Sequence, residues 1–282
     1  MIRTFQTHRI RREEELTEKL WTFTPLGREE APRSVPVPSC WETYPGFGDY
    51  RGEGRYATRF AGEGNLRVVC KGVSHTAQVY LDGALIARHY NAYTPFSAVV
   101  RGVPAGEHTL EIVADNRFSE ESALHVPNDY MSYGGISRPV SVEQIGSAYL
   151  RFLHVTPRFA DGKWRAHVRV CVENLCEEAP MSVQVCLAGE CLVFAERTMS
   201  AGETVLEGEV TAENASPWSP ATPVLYTAEA RLMKNGVPFE AARSRSRDDL
   251  RDRARAERGT DAQSALCGAG GGSHPRDDRG AL

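Results

Sequence analysis

From Leu66 to about Met233 apolar and polar positions alternate with period two, in short runs bounded by Gly, Asn, Asp and Pro. Successive side chains of a strand point to opposite faces, so this alternation gives each strand one buried and one wet face. The pattern predicts strands at Val68 to Cys70, Ala77 to Leu81, Leu85 to Ala87, Leu110 to Val113, Val140 to Val142, Val168 to Val172, Val183 to Leu187, Val205 to Val210 and Leu225 to Met233. Asp82-Gly83 and Asn235-Gly236 supply the positive φ angles that tight hairpin turns need. Only Arg11 to Lys19 has helix-forming composition, and its charges leave no apolar face.

The strand series breaks between Ile145 and Tyr149, at the Gly146-Ser147-Ala148 connector. The expected fold class is all-β, with two sandwiches in tandem. Residues 1–146 suit an eight-stranded, galactose-binding-like jelly roll, and 147–240 suit a seven-strand immunoglobulin-like sandwich. From Ala241 to Leu282 there is no aromatic residue and no Ile, Val or Met, while nine arginines accompany seven acids. Such a segment cannot bury a core, so 241–282 is expected to be a disordered tail. Its Arg, Ala, Gly and Asp bias without lysine is what a GC-rich coding region gives in the wrong frame, and a frameshift is the expected origin.

Composition narrows the function classes. An apolar fraction of 41% allows real cores, and 33 basic residues are interspersed among 37 acidic ones for a net charge of -4. No basic stripe exists to neutralise phosphates, so nucleic acid is not an expected partner. No apolar run reaches the roughly 18 to 20 residues of a membrane span and the N-terminus is charged, so a cytoplasmic protein without a membrane partner is expected. The seven cysteines are scattered, which favours reduced thiols, with a disulfide as the next alternative. Cys171-x4-Cys176 and Cys186-x4-Cys191 lie in or beside alternating Val-rich runs, so strand cysteines are expected and no zinc.

The string from Asp129 to Val140, D-Y-M-S-Y-G-G-I-S-R-P-V, resembles a signature of family 2 glycoside hydrolases. Leu20-Trp21-Thr22-Phe23, Val35 to Trp41, and Tyr50 to Phe60 resemble the opening of the same family, with Arg55 in place of its usual tryptophan. Gly72 to Gly83, His89 and Tyr93-Thr94-Pro95-Phe96 resemble its β-glucuronidases more than its β-galactosidases. Pro217-Trp218-Ser219-Pro220 and Pro223 to Tyr226 resemble its second domain, after which the expected Phe-Gly-x-Arg strand is lost at Phe239.

The resemblance implies a sugar-binding-type jelly roll and an immunoglobulin-like linker domain of an enzyme that hydrolyses terminal β-glycosides with retention. Gly134-Gly135 permits a turn that a Cβ would obstruct, Ile136 is a buried anchor, and Arg138 offers a planar fork to a carboxylate or carbonyl. By the same resemblance Asp129 is the candidate substrate-binding residue, on a loop directed at sugar hydroxyls; a turn aspartate capping its own backbone is the alternative. Retaining glycosidases need two carboxylates about 5 to 5.5 Å apart. The family carries them on a (β/α)8 barrel of about 250 residues, for which the 42 residues after Glu240 leave no room. No catalytic residue, cofactor or metal is therefore assigned, and whether the chain is an enzyme by itself stays open, with inactivity in isolation expected. Carbohydrate is the expected partner, bound weakly or not at all by the isolated chain, with self-association through a barrel-facing surface. The alternative function is an independent two-sandwich carbohydrate-binding or scaffolding module. His75, His89 and His108, in or beside β runs, are expected to be satisfied structural histidines.

Overall fold

The computed structural model describes residues 13–120, 131–213 and 215–246. Its strands are β1 (Glu13–Glu15), β2 (Leu20–Leu26), β3 (Arg33–Pro36), β4 (Glu53–Cys70), β5 (Thr76–Leu81), β6 (Ala84–His89), β7 (Phe96–Asp115), β8 (Val140–Ile145), β9 (Ala148–Ala160), β10 (Lys163–Asn174), β11 (Ala179–Leu187), β12 (Glu190–Met199), β13 (Gly202–Thr211), β14 (Tyr226–Lys234) and β15 (Val237–Ser246). Single 3-10 turns occupy Leu16–Glu18 and Trp41–Thr43.

The first eight strands form one sheet folded over on itself, as expected for the jelly roll. Its fold lies in β4 and β7, which pair along their whole length from Glu53↔Asp115 to Cys70↔Phe96. Register shifts at Gly62/Gly64 and Gly64/Leu66 bend the pair, the usual effect of an unpaired bulge residue. The first half of β4 then borders β2, while its second half borders β8. Between the layers Trp21, Phe23, Trp41, Phe47, Tyr56 and Phe60 are fully or almost fully buried. Arg55, which replaces the tryptophan usual in the resembling family, points outward and faces Glu111 on β7 at 3.8 Å, so the core does not feel the change.

Strands β9 to β15 form a second sandwich of a three-stranded sheet, β13-β10-β9, and a four-stranded sheet, β12-β11-β14-β15. Its core holds Val168, Val170, Val183, Val185, Leu206 and Leu232. Trp218 of the Pro217–Pro220 segment is only half-buried; the buried tryptophan of this sandwich is Trp164, edge-on to Phe159 at 5.2 Å. Between the sandwiches only Gly146 and Ser147 lie outside strands, and Ile145, Tyr149 and Leu175 pack together across the junction.

The segment with helix-forming composition but no apolar face adds Glu13–Glu15 to the edge of β8 and then turns at Leu16, whose side chain is fully buried. Pairing and one anchored leucine outweigh helix propensity there. Two expectations are corrected. The second sandwich does not stop at Glu240, and the tail does not begin at Ala241: β15 runs to Ser246, paired with β14 from Lys234↔Val237 to Tyr226↔Ser246. On its inward face the small Ala242 enters the core and Glu240 is buried, accepting from Leu150 N at 3.4 Å, which is why an apolar pattern failed to mark it. Residues 247–282 lie outside the described residues. Finally, Cys186 and Cys191 face each other across the β11–β12 hairpin with Cα atoms 4.1 Å apart and are joined as a disulfide, where reduced thiols were expected. Cys40, Cys70, Cys171 and Cys176 are free, and no metal-holding cluster occurs among the described residues.

The Asp82-Gly83 turn has the expected left-handed backbone, with φ of 49° and 80°. Asp82 also reaches His108, whose Nδ1 lies 2.7 Å from the carboxylate and whose Nε2 lies 2.9 Å from the Pro104 carbonyl. Both neighbours can only accept, so both ring nitrogens donate and the ring is an imidazolium. The Asp82 hydrogen bond raises the His108 pKa above 6.5, and the Thr109 amide and His108 lower that of Asp82 below 3.8. The His108 contribution to stability is complete below its unfolded pKa and is lost as pH rises through the raised folded value. The Asp82 contribution is present above its unfolded pKa and is lost as pH falls through the depressed one. In urea titrations the stability gap between the wild type and Asp82→Asn should therefore be widest between about pH 4 and 6.5. It should narrow on either side of that window; a gap independent of pH would show that the pair is not ionised.

Candidate functional site

The Gly-Gly loop is built from backbone outward. Ser39 N donates to the Ile136 carbonyl at 2.8 Å, Trp41 N to that of Gly134 at 3.0 Å, and Ser74 N to that of Gly135 at 2.9 Å. These contacts bring the loop so close to the core that an added Cβ at Gly134 would lie 2.0 Å from Cζ2 of Trp41. At Gly135 φ is +116°, and a Cβ would lie 2.7 Å from the Tyr56 hydroxyl. Ile136 is fully buried, as expected of the anchor. Arg138 uses its fork on the Tyr93 carbonyl, Nη1 donating at 2.7 Å, which gives it a structural task.

Beneath the loop lies a polar hub that the sequence pattern did not mark. Asn116, fully buried just after β7, accepts from Gly52 N at 3.0 Å through Oδ1. Its Nδ2 lies 3.0 Å from the Tyr50 carbonyl, 3.2 Å from Glu42 Oε1 and 3.4 Å from the Ser132 carbonyl. The Glu42 carboxylate accepts from Gly134 N at 2.9 and 3.1 Å. Burial pushes the Glu42 pKa up, partly offset by the Gly134 amide, Arg51 and Asn116. Arg51 donates to the Ser132 carbonyl and stands 3.9 Å from Glu42. The loop is thus held by one buried acid, one buried amide and one guanidinium from three separate turns. From it Met131 and Tyr133 project into solvent.

His75 adjoins the hub and is buried, yet among the described residues its Nδ1 has no hydrogen-bond partner, so the expectation of a satisfied histidine is not met there. Burial and Arg51 lower its pKa, and it is accommodated as a neutral ring. His89 and His108 do find partners, in Thr94 and in Asp82 with Pro104. Asp129, the candidate substrate-binding residue, lies outside the described residues.

Two stacked sandwiches, joined by a two-residue connector and carrying a pinned Gly-Gly loop, define the N-terminal β-sandwich portion of a family 2 glycoside hydrolase, and the chain belongs to that family. The family described as glycosyl hydrolases family 2 matches residues 148–246, the whole of the second sandwich. Among solved structures, the chain is similar to a family 2 β-galacturonidase from Eisenbergiella tayi bound to galacturonate, at 42% identity and a TM-score of 0.82. That match covers 88% of this chain and 45% of the other. A β-glucuronidase from Bacteroides uniformis shares the fold at 19% identity, with a TM-score of 0.70 over 84% of this chain and 32% of that one. A β-galactosidase from Thermoanaerobacterium thermosulfurigenes is 32% identical over 110 residues, 37% of this chain and 15% of that protein. The chain spans less than half the length of each of these relatives.

Proposed function

We propose that the chain is the non-catalytic front portion of a family 2 hydrolase acting on β-linked uronides, with β-galacturonides as the first substrate class to test. The observation that carries this reading is the 42% identity to the Eisenbergiella tayi β-galacturonidase, sustained over 88% of the chain. Identity at that level across both sandwiches extends beyond core positions, whereas the 19% match to a β-glucuronidase supports the fold alone. In this reading the hub of Glu42, Arg51 and Asn116 holds Ser132 and Gly134 in place, and so directs the exposed Met131 and Tyr133 toward a substrate held by the remainder of such an enzyme.

The test joins residues 1–246 to the part of the Eisenbergiella tayi enzyme that has no counterpart here, and assays a chromogenic β-galacturonide. The chimaera is expected to hydrolyse it at least about tenfold faster than that part alone, because the supporting shell of a site fixes its geometry. The chain by itself is expected to give no turnover. Turnover by the isolated chain, or a folded chimaera no more active than the part alone, would overturn the reading.

A further inference from the structure

His75 stands at the foot of β5 and is only 2% exposed. Among the described residues its Nδ1 has no hydrogen-bond partner, and its ring is edge-on to Phe118 with centroids 6.4 Å apart. The backbone here is tied down. His75 N donates to the Asp115 carbonyl at 2.6 Å. Ser74 forms a two-way bridge with Gly135, donating from N to its carbonyl at 2.9 Å and accepting from its N at 3.4 Å. Hydrating the His75 ring therefore requires this segment, or what covers it, to move, and what the segment holds is the Gly-Gly loop.

The surroundings refuse the ring a second proton. An imidazolium must donate from both nitrogens, and Nδ1 has nothing to donate to. From the turn before β4, the Arg51 guanidinium repels a positive charge at His75. From the end of β7, Asp115 would attract one, but both its carboxylate oxygens already accept from Arg117. Burial and Arg51 prevail, and they hold the His75 pKa below 6.5. With the loop displaced and the ring in water the ordinary value returns, so acid favours the displaced arrangement. The sign is that of a base with a depressed folded pKa: its contribution to the closed arrangement is complete above the pKa of the hydrated ring and is lost as the pH falls below it.

The other titratable groups that face the loop do not act in this way. Burial raises the Glu42 pKa, so protonation of Glu42 in acid favours the closed arrangement. Cys40, Tyr44 and Tyr56 are likewise raised by burial and stay protonated at and below neutral pH. Loosening of the loop in acid is thus the signature of His75, and tightening that of Glu42.

We infer that His75 is an acid-sensitive latch, whose protonation in mild acid frees Ser74 from Gly135 and lets the loop that carries Met131 and Tyr133 come away from the core. The device lies within the first sandwich, and it stands whether or not the hydrolase reading does.

The experiment measures amide hydrogen exchange in the full chain at about pH 7.5 and about pH 5, corrected for intrinsic rates. Protection of the Ser74 and Trp41 amides, which bond the Gly135 and Gly134 carbonyls, is expected to fall about tenfold or more in acid. Amides of β11 in the second sandwich should change by less than about twofold. The His75 ring, followed by NMR in the same samples, should titrate below 6.5. His75→Gln, whose side chain takes no proton, should lose the acid-induced fall. Protection that is unchanged or rises in acid, an equal fall in β11, a His75 ring that titrates at or above 6.5, or a folded His75→Gln that keeps the fall would each overturn the latch. Should His75→Gln fail to fold, the wild-type exchange and ring titration decide the matter alone.

Discussion

Replacing Gly134 with alanine is expected to destabilise the first sandwich by about 3 kcal/mol or more, at the upper end of what overpacking costs. The new Cβ would meet Cζ2, Cε2 and Nε1 of Trp41 at 2.0, 2.2 and 2.7 Å. Trp41 cannot swing away: it is fully buried, edge-on to Tyr50 at 5.5 Å, 6.0 Å from the Phe23 ring, and tied through Nε1 to the Tyr50 carbonyl at 3.3 Å. Moving the loop instead would break the Gly134 amide bonds to Glu42 and leave a buried carboxylate under-satisfied. Gly46→Ala is the comparison. Its φ is +85° with nothing near the new methyl, so only the left-handed backbone penalty of about 1 kcal/mol applies. Urea unfolding followed by tryptophan fluorescence measures both; equal losses would mean that the Gly134 contact relaxes more easily than its geometry allows.

The contrast between these glycines also shows what was legible in the sequence. Period-two alternation marked β5, β6, β8, β10, β11, β13 and β14; β5, β10, β13 and β14 do alternate between a more buried and a more exposed face, whereas β8 is buried at nearly every position and β6 has no buried residue. It marked only parts of β4 and β7, since these strands bend and change neighbours along their length. It missed β15, which places Ala242 in the core beside the buried Glu240, and β12, an edge strand with exposed Val193 and few buried side chains. The Gly-Gly loop was legible because close backbone approach leaves a signature in residue type. The hub beneath it was not: Glu42, Arg51 and Asn116 are isolated polar residues in turns, and only their convergence in space makes them a unit. The disulfide was hidden for a similar reason. Cys186-x4-Cys191 becomes a directly opposed pair only when Ala188-Gly189 forms the two-residue hairpin turn, with φ of 52° and 88°.

The junction between the sandwiches is the other place where one side chain carries a large effect. Arg67→Ala is expected to cost about 3–5 kcal/mol, the range for removing one partner of a buried ion pair. Arg67 and Glu143 lie 3.5 Å apart with side chains only 10% and 4% exposed. The guanidinium also donates from Nε to Ser97 Oγ at 3.1 Å and sits 5.5 Å from the Tyr149 ring, the first aromatic of the second sandwich. Tyr149 in turn donates to Glu173, and burial, reinforced by that bond, drives its pKa up and keeps the phenol protonated. Truncating Arg67 takes one cation away from the buried Glu143 carboxylate, and it removes the cation on which Tyr149 rests. The double variant Arg67→Met, Glu143→Leu removes both charges while keeping most of the volume, so it should recover most of the loss. Calorimetry of the three proteins separates the two origins of the effect. If the double variant is as unstable as Arg67→Ala, the cost lies in the Ser97 and Tyr149 contacts; if it returns close to the wild type, the loss of Arg67 as a counter-charge to Glu143 is the cause.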